Sequence, residues 1–206
     1  MIYLADDYLT KYSDALSYLL ARSISEGYTF EYIQSAISYS KAISELEKSN
    51  ITLLAFSSLE AIYHDIFPQF DNNFAFNEYD AFGWCGYIYM HLFLSMKITF
   101  EALFFLIPIK EMLSLYPLYH EMSVSQIDEY AKNKMKHTML DIILKEKKMS
   151  NQDLGKITGL SISTINSLRY KKRDIAKLEA DKLQLISIAL NVKMETLLPS
   201  IHLLCQ

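Results

Sequence analysis

The chain has 206 residues, 51% hydrophobic and 13% aromatic, which excludes a disordered tail and suits one large or two small domains. Its formal charge of −4 is unevenly spread: residues 132–206 carry 14 Lys+Arg against 7 Asp+Glu, net +7, and residues 1–131 carry 6 against 17, net −11. The basic part suits a polyanion, and the acidic part would be repelled by one or would meet a basic partner.

In chain order, Leu4, Tyr8, Tyr12, Ala15 and Leu19, then Tyr32, Ala36, Ile43 and Leu46, recur at helical spacing. Ser57-Ser58-Leu59-Glu60 reads as a capping box ahead of Ala61-Ile62-Tyr63, and Ile51 to Phe56 is the one stretch with strand character. Asp80 is expected to cap a helix through Lys97, and Pro108 to open one running to Tyr116 that Pro117 then punctuates. The apolar run from Phe82 to Ile109 is interrupted by His91, Lys97 and Glu101. It falls short of the ~20 uninterrupted residues a membrane span needs, so a buried hairpin of two helices is expected.

Composition shifts near Tyr130: 14 of the 15 tyrosines occur up to that point, and the lysine-rich Lys132-Asn133-Lys134-Met135-Lys136 follows. Two domains are expected, 1–131 and 132–206. No glycine-, serine- or proline-rich linker separates them, so a short or continuous helix with limited swing should join them.

The most informative stretch is Leu154 to Arg173. Ser150 can cap a helix with Asp153 in its first turn and Leu154 and Ile157 as apolar positions, and Gly159 supplies the left-handed backbone of a sharp turn. Ser161 then caps a second helix running to about Tyr170, with Ile165 and Leu168 facing inward. Its other face carries Ser163, Thr164, Asn166 and Ser167, short uncharged side chains suited to lying close against base edges, and its end is the cationic Lys171-Lys172-Arg173.

These residues, with their flanks from Thr138 to Leu198, resemble the helix-turn-helix of the Cro/repressor-like XRE family. The resemblance implies an all-α chain in which an acidic, aromatic-rich helical N-terminal domain precedes a five-helix lambda-repressor-like domain. The remaining helices of that domain would be Met139–Lys147, with the apolar stripe Met139, Ile142 and Ile143, then Leu178–Leu190 and Met194–Leu198. It further implies base contacts from Ser161, Ile162, Ser163, Asn166 and Ser167, and phosphate contacts from Asn151, Thr164, Lys171, Lys172 and Arg173. Gly155 stands where the family usually has alanine, which implies close packing on the second helix, and Tyr170-Lys171 stands where Arg-Gly or Asn-Gly is common. The segments Asp80–Tyr89 and Leu115–Met122 resemble an uncharacterised helical region carried by such regulators in low-GC Gram-positive bacteria.

Enzymatic chemistry finds little support. His64, His91, His120, His137 and His202 are scattered, His120-Glu121 is followed by Val124 where a zinc-protease pattern needs histidine, and there is no glycine-rich phosphate loop. Neither a catalytic residue nor a metal or cofactor is expected. Cys85 and Cys205 read as free thiols, and the early acids Asp6 and Asp7 without a basic region argue against a signal peptide, so a cytoplasmic location is expected. The partner expected is double-stranded DNA, bound by a homodimeric repressor. Two alternatives give the N-terminal domain other work: an antitoxin whose acidic surface covers a basic toxin, or a sensor whose aromatic side chains enclose a ligand.

Overall fold

The computed structural model describes residues 6–48, 58–67 and 79–198, and the described residues form helices joined by short turns. The N-terminal part contains α1 (Asp6–Ser25), α2 (Phe30–Tyr39), α3 (Lys41–Glu47), α4 (Leu59–Ile66), α5 (Tyr79–Met96), α6 (Phe100–Leu106), α7 (Ile109–Tyr119) and α8 (Val124–Lys134). The C-terminal part contains α9 (Met139–Glu146), α10 (Asn151–Thr158), α11 (Ile162–Arg169), a 3-10 turn Ile175–Lys177, α12 (Ala180–Leu190) and a closing 3-10 turn Met194–Leu197. The expected strand at 51–56 and Cys205 lie outside the described residues.

Local chemistry sets most of these boundaries. Side-chain oxygens of Thr29, Ser40, Ser58, Thr99, Thr138, Ser150 and Ser161 each accept from a backbone amide in the first turn of the following helix. For α4 the cap is Ser58, bonded to Ala61, rather than a box closed by Glu60. Helix α5 is described from Tyr79, and the segment ahead of it, on which the expected cap depends, lies outside the described residues. Pro108 is the N-cap of α7 and not its first residue, and Pro117 lies inside that helix, which runs on to Tyr119. Pro117 has no amide to offer the Leu113 carbonyl, so the last turn of α7 lacks that bond.

Helices α5 and α6 meet at a bend of 110° across residues 97–99, with Lys97 in the left-handed region at φ 54°. This is the expected buried hairpin, and among the described residues no single helix is long and apolar enough to cross a membrane. Helix α1 packs along α5, burying Tyr12, Leu16, Leu19 and Leu20 together with Cys85, Ile88, Tyr89 and Leu92. Burial pushes the Cys85 thiol up to about 12. Tyr32, expected inward, is 48% exposed and stacks on Tyr28 at 5.1 Å between ring centroids, while Ile33 and Ile37 take the inward face of α2.

Small residues set how closely α1 and α5 approach. A Cβ added at Gly86 would stand 2.1 Å from Ser17 Oγ, 2.6 Å from the Ser13 carbonyl oxygen and 2.7 Å from the Ser17 amide nitrogen. Ser17 Oγ donates to the Ser13 carbonyl at 2.6 Å and reaches the Gly83 carbonyl at 3.3 Å, so its hydroxyl is satisfied without holding the helices apart.

The two parts of the chain are packed together. The expected boundary at 131/132 falls within α8, and α9 rests on α6 through one continuous apolar cluster. A polar knot adds to this contact. Glu101, buried on α6, accepts from the Tyr39 hydroxyl at 2.7 Å, the Lys193 amide at 2.9 Å and the Thr196 hydroxyl at 2.5 Å. Lys193 Nζ donates to the Ser38 carbonyl at 2.6 Å and to Glu47 at 3.2 Å, and Glu47 also accepts from the Phe100 amide.

Gly86→Ala should destabilise the chain by about 1–3 kcal/mol even though alanine favours a helix, because the new methyl meets α1 backbone atoms that cannot rotate away. Urea unfolding of the two proteins measures this, and unchanged stability would show that the helices separate freely.

Candidate nucleic-acid interface

Helix α10 begins with a reciprocal capping box: the Asp153 amide donates to Ser150 Oγ at 3.1 Å and the Ser150 amide donates to Asp153 Oδ2 at 3.2 Å. Hydrogen bonds from Ser150 hold the Asp153 carboxyl below its ordinary value. The helix ends at Gly159, whose φ of 70° makes the turn into α11. Leu154 is fully buried as expected, but Ile157 is 59% exposed. Thr158 takes the inward position instead, its hydroxyl donating to the Leu154 carbonyl at 2.7 Å so that nothing polar is stranded.

A Cβ at Gly155 would stand 3.1 Å from the Leu160 carbonyl oxygen and 3.5 Å from Ile165 Cδ1, so α10 and its turn lie close to α11 here. Ile165 and Leu168 are buried and fix the inner face of α11.

The outer face carries the residues expected to meet DNA. Ser161, Ile162 and Ser163 are exposed, Ile162 at 47%, while Thr164, Asn166 and Ser167 are half-buried. Ser161 Oγ accepts from the Thr164 amide at 3.1 Å and lies 2.9 Å from both the Ser163 and Thr164 hydroxyls. Ser167 Oγ donates to the Ser163 carbonyl at 2.8 Å, which leaves its lone pairs turned outward. The start of α11 is therefore a compact hydroxyl cluster beside one exposed isoleucine.

The basic end of α11 follows a tight reversal. Tyr170 closes the helix, Lys171 adopts φ 58°, and the Arg173 amide donates to the Ser167 carbonyl at 3.0 Å. Lys171 thus takes the left-handed place that a glycine fills without strain. Lys171, Lys172 and Arg173 are all exposed, but the ammonium of Lys171 is turned onto the Met135 carbonyl at 3.1 Å, toward the end of α8.

Asn151 and Asn166, expected to meet phosphate and base respectively, are joined directly: Asn151 Nδ2 donates to Asn166 Oδ1 at 2.6 Å. Behind them stand two residues that sequence reasoning missed. Arg169 Nη1 donates to Asn151 Oδ1 at 2.6 Å, and Arg169 Nε donates to Asp141 Oδ1 at 2.6 Å. The Asp141 side chain is 1% exposed; Lys145 Nζ faces its Oδ2 at 2.8 Å as an ionic contact, and His137 Nδ1 lies 3.1 Å from the same oxygen. Burial by itself would raise the Asp141 carboxyl, but Lys145 and Arg169 outweigh it and hold the group below its ordinary value. The available signal was a pair of opposite charges at inward positions: Arg169 is four residues beyond buried Ile165, and Asp141 is three before buried Leu144.

Downstream, α12 begins at Ala180 rather than Leu178 and closes at Asn191 in the left-handed region, and the last expected helix is the 3-10 turn Met194–Leu197. No group of three or more His, Cys, Asp or Glu that could hold a metal occurs among the described residues.

Lys171→Gly should raise stability by about 1 kcal/mol, since the left-handed turn no longer opposes a side chain. Thermal melting of the variant checks this, and a lower midpoint would mean that the bond to Met135 outweighs the backbone strain.

Residues 139–200 match the family model of the Cro/C1-type HTH DNA-binding domain. No curated protein and no solved structure matches the chain.

Proposed function

We propose that this chain, which carries a Cro/C1-type HTH DNA-binding domain at residues 139–200 and is a DNA-binding regulator, acts as a dimeric repressor that reads the major groove with α11. The observation that carries this reading is the outer face of α11: small uncharged side chains and Ile162 are accessible among the described residues. Ser161, Ile162, Ser163, Asn166 and Ser167 meet base edges, with Ile162 suited to a thymine methyl. Asn151, Thr164, Lys171, Lys172 and Arg173 meet phosphates and release counterions. Residues 1–131 serve regulation and self-association, because two copies on two half-sites convert a weak single-helix contact into useful affinity.

A second reading, ligand sensing, draws on a cleft of about 110 Å³ lined by Trp84, Tyr87, Tyr119, His120 and Met122 among others. Trp84 is the only tryptophan of the chain. Occupation of the cleft by a small apolar or aromatic molecule should therefore change the tryptophan fluorescence, and a flat titration with the non-fluorescent probe benzyl alcohol, excited at the red edge of tryptophan absorption, would count against the reading.

Mobility shifts on the DNA flanking the chain's own coding region test the main proposal. Lys172→Ala should weaken binding to every sequence and lower the salt slope by about one unit, whereas Asn166→Ala should cost about 1–3 kcal/mol on the preferred site alone. Equal losses for both variants on random DNA would remove α11 as the reading element.

A further inference from the structure

The hydrogen bonds from Asp141 to Asn166 have a direction that the chemistry of their members imposes. An arginine side chain has only donors, so the atom of Asn151 that faces Arg169 at 2.6 Å must be the carbonyl oxygen Oδ1. The amide nitrogen of Asn151 then points to Asn166, and the atom of Asn166 that receives it at 2.6 Å must in turn be its carbonyl oxygen. Asp141, an acceptor only, holds the far end by taking Arg169 Nε at 2.6 Å. One hydrogen of the Asn151 amide remains for a phosphate, and Asn166 is left with its NH₂ group directed away from α10.

Without such a restraint the terminal amide of an asparagine turns over at little cost and offers either its oxygen or its nitrogen. Held this way round, Asn166 offers N–H donors. In the major groove guanine presents N7 and O6 as acceptors, adenine N7 and thymine O4, whereas cytosine presents only its N4 amino donor. We infer that Asn166 discriminates against cytosine at the base it meets, and that Asp141, Arg169 and Asn151 are positioning residues that fix the orientation of its amide. Arg169 and Asp141 need not touch DNA for this. The inference rests on the reading of α11 as the element that enters the groove.

The test uses the full chain and a library of randomised duplexes, followed by affinity measurements on the enriched site with each base in turn. At one position the wild type should bind the cytosine duplex on the order of tenfold more weakly than the best base. Asn166→Asp, which replaces the donors by acceptors, should make cytosine the preferred base there. Asp141→Asn/Arg169→Gln, a neutral hydrogen-bonding pair whose folding is checked by circular dichroism, should reduce the cytosine penalty to about twofold with the other positions unchanged. Arg169→Lys, still a donor only, should retain the penalty. Specific binding with no position that responds in this pattern would overturn the inference and leave the DNA-reading function standing. Failure of the wild type to enrich any site, or to bind DNA at low salt, would overturn both.

Discussion

The ion pair between Asp141 and Arg169 joins the start of the C-terminal part to the end of its second motif helix. A carboxylate with a 1% exposed side chain is tolerable only when cations lie close to it, and here Arg169 donates to its Oδ1 and Lys145 faces its Oδ2. The pairing ties α11 to α9, and the Thr138 hydroxyl adds a bond to the Arg169 carbonyl at 2.8 Å. Since α9 also packs on α6, the orientation of α11 is referred to the N-terminal core and not only to its immediate neighbours. Removing the Asp141 carboxylate would leave Arg169 without its ionic counterpart, whereas removing the Arg169 charge would leave Asp141 still facing Lys145.

The same region shows how a charged chain divides its surface. The three cations after α11 are exposed, with Lys171 bonded to the Met135 carbonyl, whereas Arg169 is turned inward and spends its donors on two side chains. Four basic residues in five positions of sequence thus have two different fates. The switch occurs at Lys171, whose left-handed backbone reverses the chain.

Much of the helix-turn-helix was legible because its signals are local. Ser150, Asp153, Gly159 and Ser161 act on amides a few residues away, and each took the expected place. The inward positions Leu154, Ile165 and Leu168 followed from periodicity, while Ile157 did not, because a threonine that satisfies its own hydroxyl can replace an aliphatic residue on the buried face. Upstream, the bent hairpin of α5 and α6 was legible from its interrupting charges. The end of α7 was misread because the helix continues past Pro117 to Tyr119 despite the bond that proline removes. Partners distant in sequence, such as Asp141 with Arg169 or Gly86 with Ser13 and Ser17, leave no periodic trace and became visible only in the packed chain.

Glu101 draws its donors from both ends of the molecule, the Tyr39 phenol on one side and the Lys193 amide and Thr196 hydroxyl on the other. Separated from residues 193–196, this acid would keep a single donor in an apolar setting, and each partner lost leaves part of its desolvation uncompensated. The two parts therefore share one buried polar contact, satisfied only when both are in place. A change at residues 193–196 is thus felt on α6, some ninety residues upstream of Lys193.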